Sequence, residues 1–327
     1  MTLTRKAAGL QQGPRIRADF MLRLAPLAGI MVVLVLAAVT TPGIFSVPAL
    51  RLLAFQMGII GITAVGQTLV LLTGGIDLSV GAVIGLTTVI VAQQSGANGK
   101  SLPVALLLAL LAGGIVGGAN AALVLYRNVP PFVASFATFV LVQGSITAWT
   151  GGAPSGTIPQ QLIPLGVSEP FGVPAAFWIF LGLAALAHIL LSKTVFGRRL
   201  YAAGANRRAA DMTGIHSAPL FMSAYVASAL LAVLAGLVYG GYIGHVDAEL
   251  SRSLNLDSIA ASVIGGVALT GGRGGIVNTL AGVALLALLL LWMIQLGAGA
   301  GGQLLVEGAV ILLAAWLQQG ASRIRYN

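Results

Sequence analysis

Apolar runs of about twenty residues follow one another along nearly the whole chain, separated by short segments that hold most of its charge. A run of that length crosses a hydrocarbon core of about 30 Å, because a helix rises 1.5 Å per residue. Ten such runs are read: 24–41, 51–73, 78–94, 103–126, 131–150, 174–192, 217–240, 257–270, 276–295 and 302–319. They are apolar all round rather than along one stripe, as helices immersed in lipid are. Composition closes the soluble alternative. Hydrophobic residues make up 57% of the 327 and charged residues 8%, against roughly 25% charged in an ordinary soluble domain. With a mean hydropathy of +0.98, too few polar side chains exist to cover a globule of this size. The chain reads as an all-α polytopic membrane protein of about ten transmembrane helices in a lipid bilayer.

Ten spans put both termini on one side. If that side is the cytoplasm, the inside carries Arg5, Lys6, Arg15, Arg17, Arg23, Arg127, Lys193, Arg198, Arg199, Arg207, Arg208, Arg273, Arg323 and Arg325, and the outside only Arg51, Lys100 and Arg252. That asymmetry is the positive-inside pattern. The formal charge of +9 therefore reports topology, and no nucleic-acid partner is expected. The expected organisation is a basic cytoplasmic tail over 1–23, one membrane-spanning unit over 24–319 and a short cytoplasmic tail over 320–327. The unit includes an outer loop over 151–172 and an inner loop over 193–216. The first apolar run exceeds the core of a signal peptide and reads as an uncleaved helix. The chain has no cysteine, and His188, His216 and His245 have no ligand spacing, so no metal site is expected.

Asp77 stands in LLTGGIDLSVGAVIGL (71–86), where an ionised carboxylate inside a membrane costs about 3 kcal/mol on insertion scales. Asp77 and Val83-Ile84-Gly85 recur at the same spacing as Asp257 and Val263-Ile264-Gly265. These stretches open the third and eighth spans, five apart and hence oppositely oriented, the register of an inverted five-helix repeat. Two readings stay open for both carboxylates. Each caps the helix that follows, accepting from backbone N–H groups at its positive end, or interrupted helices in matching halves mark a transport path. Capping is the favoured one.

The stretches AVGQTLVLLTGGIDLSVGAVIGLT (64–87), VPPFVASFATFVLVQGSITAWTGGAPSG (129–156), FGRRLYAAGANRRAADMTGI (196–215) and LDSIAASVIGGVALTGGRGGIVNTLAG (256–282) resemble, in matching order, the ribose-type, or simple-sugar, permeases of ABC importers. That resemblance implies a membrane subunit of the bacterial inner membrane that pairs with a second copy or a related permease. A periplasmic binding protein delivers a monosaccharide to it, and ATP-binding cassette subunits drive it. The chain itself is then no enzyme and binds no cofactor, since Mg-ATP sits on the partner ATPase. GKS at 99–101 is not a phosphate loop, because the required upstream glycine position is Gln94. In the inner loop, Asn206 reads as the cap of a short helix and Gly214 as its left-handed end. The resemblance makes this the helix that docks on the ATPase. Ala203, Gly204, Ala209 and Ala210 would permit close approach, and Arg207 and Arg208 would meet acidic groups or simply hold the loop inside.

A transported sugar needs hydroxyl partners without a deep well. Gln67, Asn120, Ser135, Thr138, Gln143, Asn278 and Gln295 are the polar groups inside the spans, and buried amides also serve as interhelical glue. Gln67, Asn120 and Gln143 are the candidates for the path, with Phe136 among Phe132, Phe136 and Phe139 as a ring that could stack on a sugar face. Gln67 stands where the family commonly has Met. Glu307 is read as lying near the outer interface. Gly113, Gly114, Gly117 and Gly118 fit a dimer seam or internal contacts. An ion-coupled carrier is the alternative, but its titratable candidates, Asp77, Asp257 and Glu307, all read as near span ends. An intramembrane hydrolase has no converging Ser, His and Asp.

Overall fold

The computed structural model describes residues 13–95, 101–246 and 253–326. Among these the chain is all-helical, with no strand beyond a single bridge between Thr157 and His245. In chain order the helices are α1 (Gly13–Thr40), α2 (Val47–Leu72), α3 (Val80–Ser95), α4 (Leu102–Tyr126), α5 (Pro131–Thr150), α6 (Ile163–Val167), α7 (Ala175–Lys193), α8 (Val195–Ala205), α9 (Arg207–Met212), α10 (Ser217–Ile243), α11 (Ser253–Gly265), α12 (Ile276–Gln295) and α13 (Ala300–Tyr326). Six of them, α2, α4, α5, α7, α10 and α12, are long and apolar enough to cross a membrane. The apolar parts of α1, α3 and α13 are shorter.

Differences from the sequence reading lie at the ends of elements. α1 starts at Gly13 and α13 runs to Tyr326, so both expected tails are partly helix. The eighth apolar run stops being helix at Gly265 rather than at 270, because Gly266 turns at φ +104° and a glycine-rich loop follows. Ser46 caps α2 by accepting from the Ala49 N–H, and α2 ends where Gly74 adopts φ +79°.

α2 is the axis of the fold. Every residue from Gly58 to Leu72 is buried, with α7, α10, α11 and α12 packed around it. Lipid offers no hydrophobic drive for helix pairing, so close backbone approach and hydroxyl bonds do this work. A Cβ on Gly58 would fall 2.6 Å from the Ala176 backbone of α7. Thr68 Oγ1 lies 2.6 Å from Thr279 Oγ1 and 3.2 Å from Ser262 Oγ, tying α2 to α12 and α11. The four glycines of α4 divide. Gly113 and Gly117 press against Val233, Tyr225 and Val226 of α10, whereas Gly114 and Gly118 meet nothing within 4 Å. The segment 151–172 folds over the end of α10. Ile158, Leu162 and Gly166 are buried there and Ile158 N–H bonds Gly244 O, while Phe171 is 94% exposed.

Candidate functional site

The turn between α2 and α3 sits in the middle of the packed helices, and its carboxylate organises them. Asp77 is fully buried. Its Oδ1 accepts from Ser79 N–H (2.9 Å), Ser79 Oγ (2.6 Å) and Asn120 Nδ2 of α4 (3.4 Å), and its Oδ2 accepts from Ser228 Oγ of α10 (3.0 Å). Asn120 Nδ2 also donates to Ser79 Oγ at 2.9 Å. The Gln67 carboxamide of α2, with its amide oriented to satisfy both contacts, donates to Asp77 O at 3.0 Å and accepts from Asp77 N at 3.2 Å. Ser135 of α5 donates to Ile76 O at 3.0 Å. Four helices, α2, α4, α5 and α10, thus converge on three residues of turn. Among the described residues the ion pairs are Arg51–Glu169 and Arg207–Asp211, and neither reaches Asp77. Its charge is met by hydrogen-bond donors, the arrangement that makes a buried carboxylate tolerable.

Asp77 is not the cap of α3. Its bonds end at Ser79, just before the helix, and the Gly81 N–H in the first turn is capped from another helix by Asn255 Oδ1 of α11. Asp257 caps nothing either, since α11 is already running at Ser253 and Asp257 lies in its second turn. The two aspartates therefore differ in place although their sequence spacing matches. Gln67 and Asn120 come together at the Asp77 turn, with their amides engaged there. Phe136 and Gln143 do not join them. Phe136, 49% exposed, stacks between Phe132 (6.1 Å) and Phe139 (6.2 Å) along α5. Gln143 Oε1, two turns on, is buried and receives no hydrogen bond. Thr138 bonds its own helix at Ala134 O, and Asn278 bonds Gly265 O. Ser228 and Asn255 were missed by the sequence reading. A lone Ser or Asn in an apolar helix carries no local signal of its distant partner.

A second group of the residues singled out lies on α8 and α9. Gly204 of α8 meets the end of α2 so closely that a Cβ there would fall 1.9 Å from Leu72 O. Leu72 O also accepts from the Gly272 N–H at 2.9 Å, and Tyr201 donates to Gly274 O at 2.8 Å. α8 is thereby fixed to α2 and to the loop 266–275, one residue before the turn that leads to Asp77. Burial pushes the Tyr201 hydroxyl above the ordinary tyrosine range. Asn206 Oδ1 caps α9 at the Ala209 N–H (3.0 Å), and Gly214 follows its end at φ +82°. Ala203 and Ala210 face inward and are buried. Arg207 also turns inward, with Nε 3.1 Å from Ser217 Oγ and 3.9 Å from Asp211 Oδ2 and its guanidinium over Phe221. Backbone and side-chain hydrogen bonds from Ser217, with smaller help from Arg207 and His216, hold the Asp211 carboxyl below its usual range. Arg208, Ala209 and Met212 remain outward, and Met212 is 83% exposed.

The model of the family described as branched-chain amino acid transport system / permease component matches residues 49–315. The ribose import permease protein RbsC of Escherichia coli (strain K12) is 34% identical over 292 residues, 88% of this chain and 91% of that one. RbsC of Bacillus subtilis (strain 168) is 33% identical over 313 residues, covering 94% and 96%. The autoinducer 2 import system permease protein LsrC of Escherichia coli O9:H4 (strain HS) is 36% identical over 237 residues, covering 72% and 69%. No solved structure gives a significant match.

Proposed function

Because the chain belongs to the family of branched-chain amino acid transport system permease components, we propose that it is the membrane-spanning subunit of an ATP-driven importer that brings a monosaccharide into the cytoplasm. The observation that carries this reading is the collinear similarity to two ribose import permeases over 88% and 94% of the chain. The chain is a transport subunit and not an enzyme. Mg-ATP is bound and hydrolysed on separate cassette subunits, a periplasmic protein delivers the sugar, and a second permease copy or a relative completes the path in the bacterial inner membrane.

Ten spans with both termini cytoplasmic agree with the distribution of basic residues. An inverted repeat of five helices is supported by the packing. The pairs α3/α4, α3/α5 and α4/α5 recur as α11/α12, α11/α13 and α12/α13, and α10 packs on α3 and α4 as α2 packs on α11 and α12. On this map α8 and α9 face the ATPase. Its pull on α9 passes through Gly204 and Tyr201 to the end of α2 and from there to the Asp77 turn. Arg208, Ala209 and Met212 form the receiving surface. Arg207, Asn206, Ala203, Ala210 and Gly214 shape α9 and hold it to the core. Gln67 and Asn120 act by fixing the Asp77 turn at the side of the path. Phe136 and Gln143 face it on α5, where Gln143 Oε1 is an acceptor with no donor of its own and Phe136 offers a ring face.

Ala209→Trp tests the coupling surface. Ala209 is exposed, so the bulky ring leaves the fold intact and obstructs docking. Uptake and sugar-stimulated ATP hydrolysis are both expected to fall at least tenfold at unchanged protein level. Normal coupled hydrolysis by this variant would remove α9 from the ATPase contact.

A further inference from the structure

Among the residues with described side chains, two carboxyl groups besides Asp77 are buried among the apolar helices, and they are buried against each other. Asp257 of α11 is 6% exposed and Glu307 of α13 is 3% exposed, and their side chains are within hydrogen-bonding reach of one another. Glu307 Oε1 is fully buried and receives no hydrogen bond from any donor among the described residues. An ionised carboxylate has only acceptors to offer, so a hydrogen bond between two carboxyls requires a proton on one of them. Among the residues with described side chains on the helices packed around the pair (α1 from Ala25 on, α2, α3 and α12), the charged one is Arg51 near the start of α2, and Glu169 holds it at 3.1 Å. α11 and α13 bring no other titratable group with a described side chain. Two full negative charges at this separation repel far too strongly in a low-dielectric interior to coexist.

We propose that Asp257 and Glu307 hold one shared proton, and that this proton is a latch fastening α11 to α13. Loss of the proton replaces a hydrogen bond with a repulsion across the helix contact. The latch also has a route into the core. Two residues before Asp257, Asn255 caps the first turn of α3 at Gly81, and Ser79 beside it bonds Asp77. Movement of α11 therefore pulls on the turn that the Asp77 network holds. The inference does not depend on which solute crosses.

Infrared difference spectroscopy of the full chain in lipid nanodiscs, in H2O and D2O, tests this directly. The expected result at neutral pH is a protonated carboxylic C=O band that shifts in D2O, disappears in Glu307→Gln and in Asp257→Asn, and survives in Asp77→Asn. As a second readout, the melting temperature of the wild type falls as pH rises, because the folded pair holds a proton that the unfolded carboxyls release, while Glu307→Gln, whose amide donates the hydrogen bond without a titrating proton, stays flat. Should the variants fail to fold, selective carbon-13 labelling of aspartate or of glutamate in the wild type must shift the band. Absence of the band in the wild type overturns the proposal. So does its persistence in both amide variants, or stabilisation by added sodium or calcium in its place.

Discussion

Asp77→Ala is expected to remove most of the folded protein from the membrane, whereas Asp77→Asn keeps it. Alanine leaves the Ser79 N–H and O–H and the Ser228 hydroxyl buried without their acceptor, while the Asn120 amide keeps its bond to Ser79 Oγ. Each orphaned buried group costs about 1–3 kcal/mol, and the hydroxyls recover part by turning to backbone carbonyls. A net loss of about 3–5 kcal/mol is a large share of the roughly 5–15 kcal/mol that separates folded from unfolded chains. Asparagine repairs nearly all of it. Its oxygen takes the Ser79 pair and its amide donates to Ser228 Oγ, a hydroxyl that can accept as well as donate. Fluorescence-detected gel filtration of the two variants, beside uptake, decides the matter. A well-folded Asp77→Asn chain without transport would give the negative charge a direct part in moving the solute, and abundant folded Asp77→Ala would take the turn out of the fold's support.

Gly204→Val has the second large effect, and it acts on coupling as well as folding. Its Cβ would stand 1.9 Å from a backbone oxygen, Leu72 O, which already accepts from Gly272. A main-chain atom cannot swing aside as a side chain would, so α8 must separate from the end of α2. Overpacking of this kind costs at least the ~1–3 kcal/mol seen in well-packed cores. The expected outcome is more than a tenfold loss of uptake, with a lowered melting temperature. Gly182→Ala on α7 is the control, because nothing lies within 4 Å of its Cβ position, and it should behave as wild type. Equal uptake by both variants would mean that α8 does not transmit through this contact.

Helix positions were legible because membrane spans are written as long apolar runs. α2, α4, α5, α10 and α12 lie where hydropathy, proline and glycine put them. The ends were less so. At Gly265 the apolar pattern continues through Val267, Ala268 and Leu269, and only the backbone turn at Gly266 stops the helix. The candidate site was legible in part. Asp77 stood out as a charge in lipid and Asn206 as a cap, since both signals are local. Their partners were not, because Ser228 lies 151 residues from Asp77 and Asn255 lies 174 residues from Gly81. The matched spacing around Asp77 and Asp257 suggested one role for both. α3 begins after its aspartate and α11 before its own, so equal spacing led to different chemistry.

Purification of the tagged chain from its native membrane, with identification of the co-purifying chains and an assay of ATP hydrolysis, tests the central claim most directly. The account predicts an ATP-binding cassette subunit in the complex and hydrolysis that rises when a sugar-loaded periplasmic protein is added. A chain that came out alone and drove uptake from a proton or sodium gradient, with no ATPase present, would contradict it.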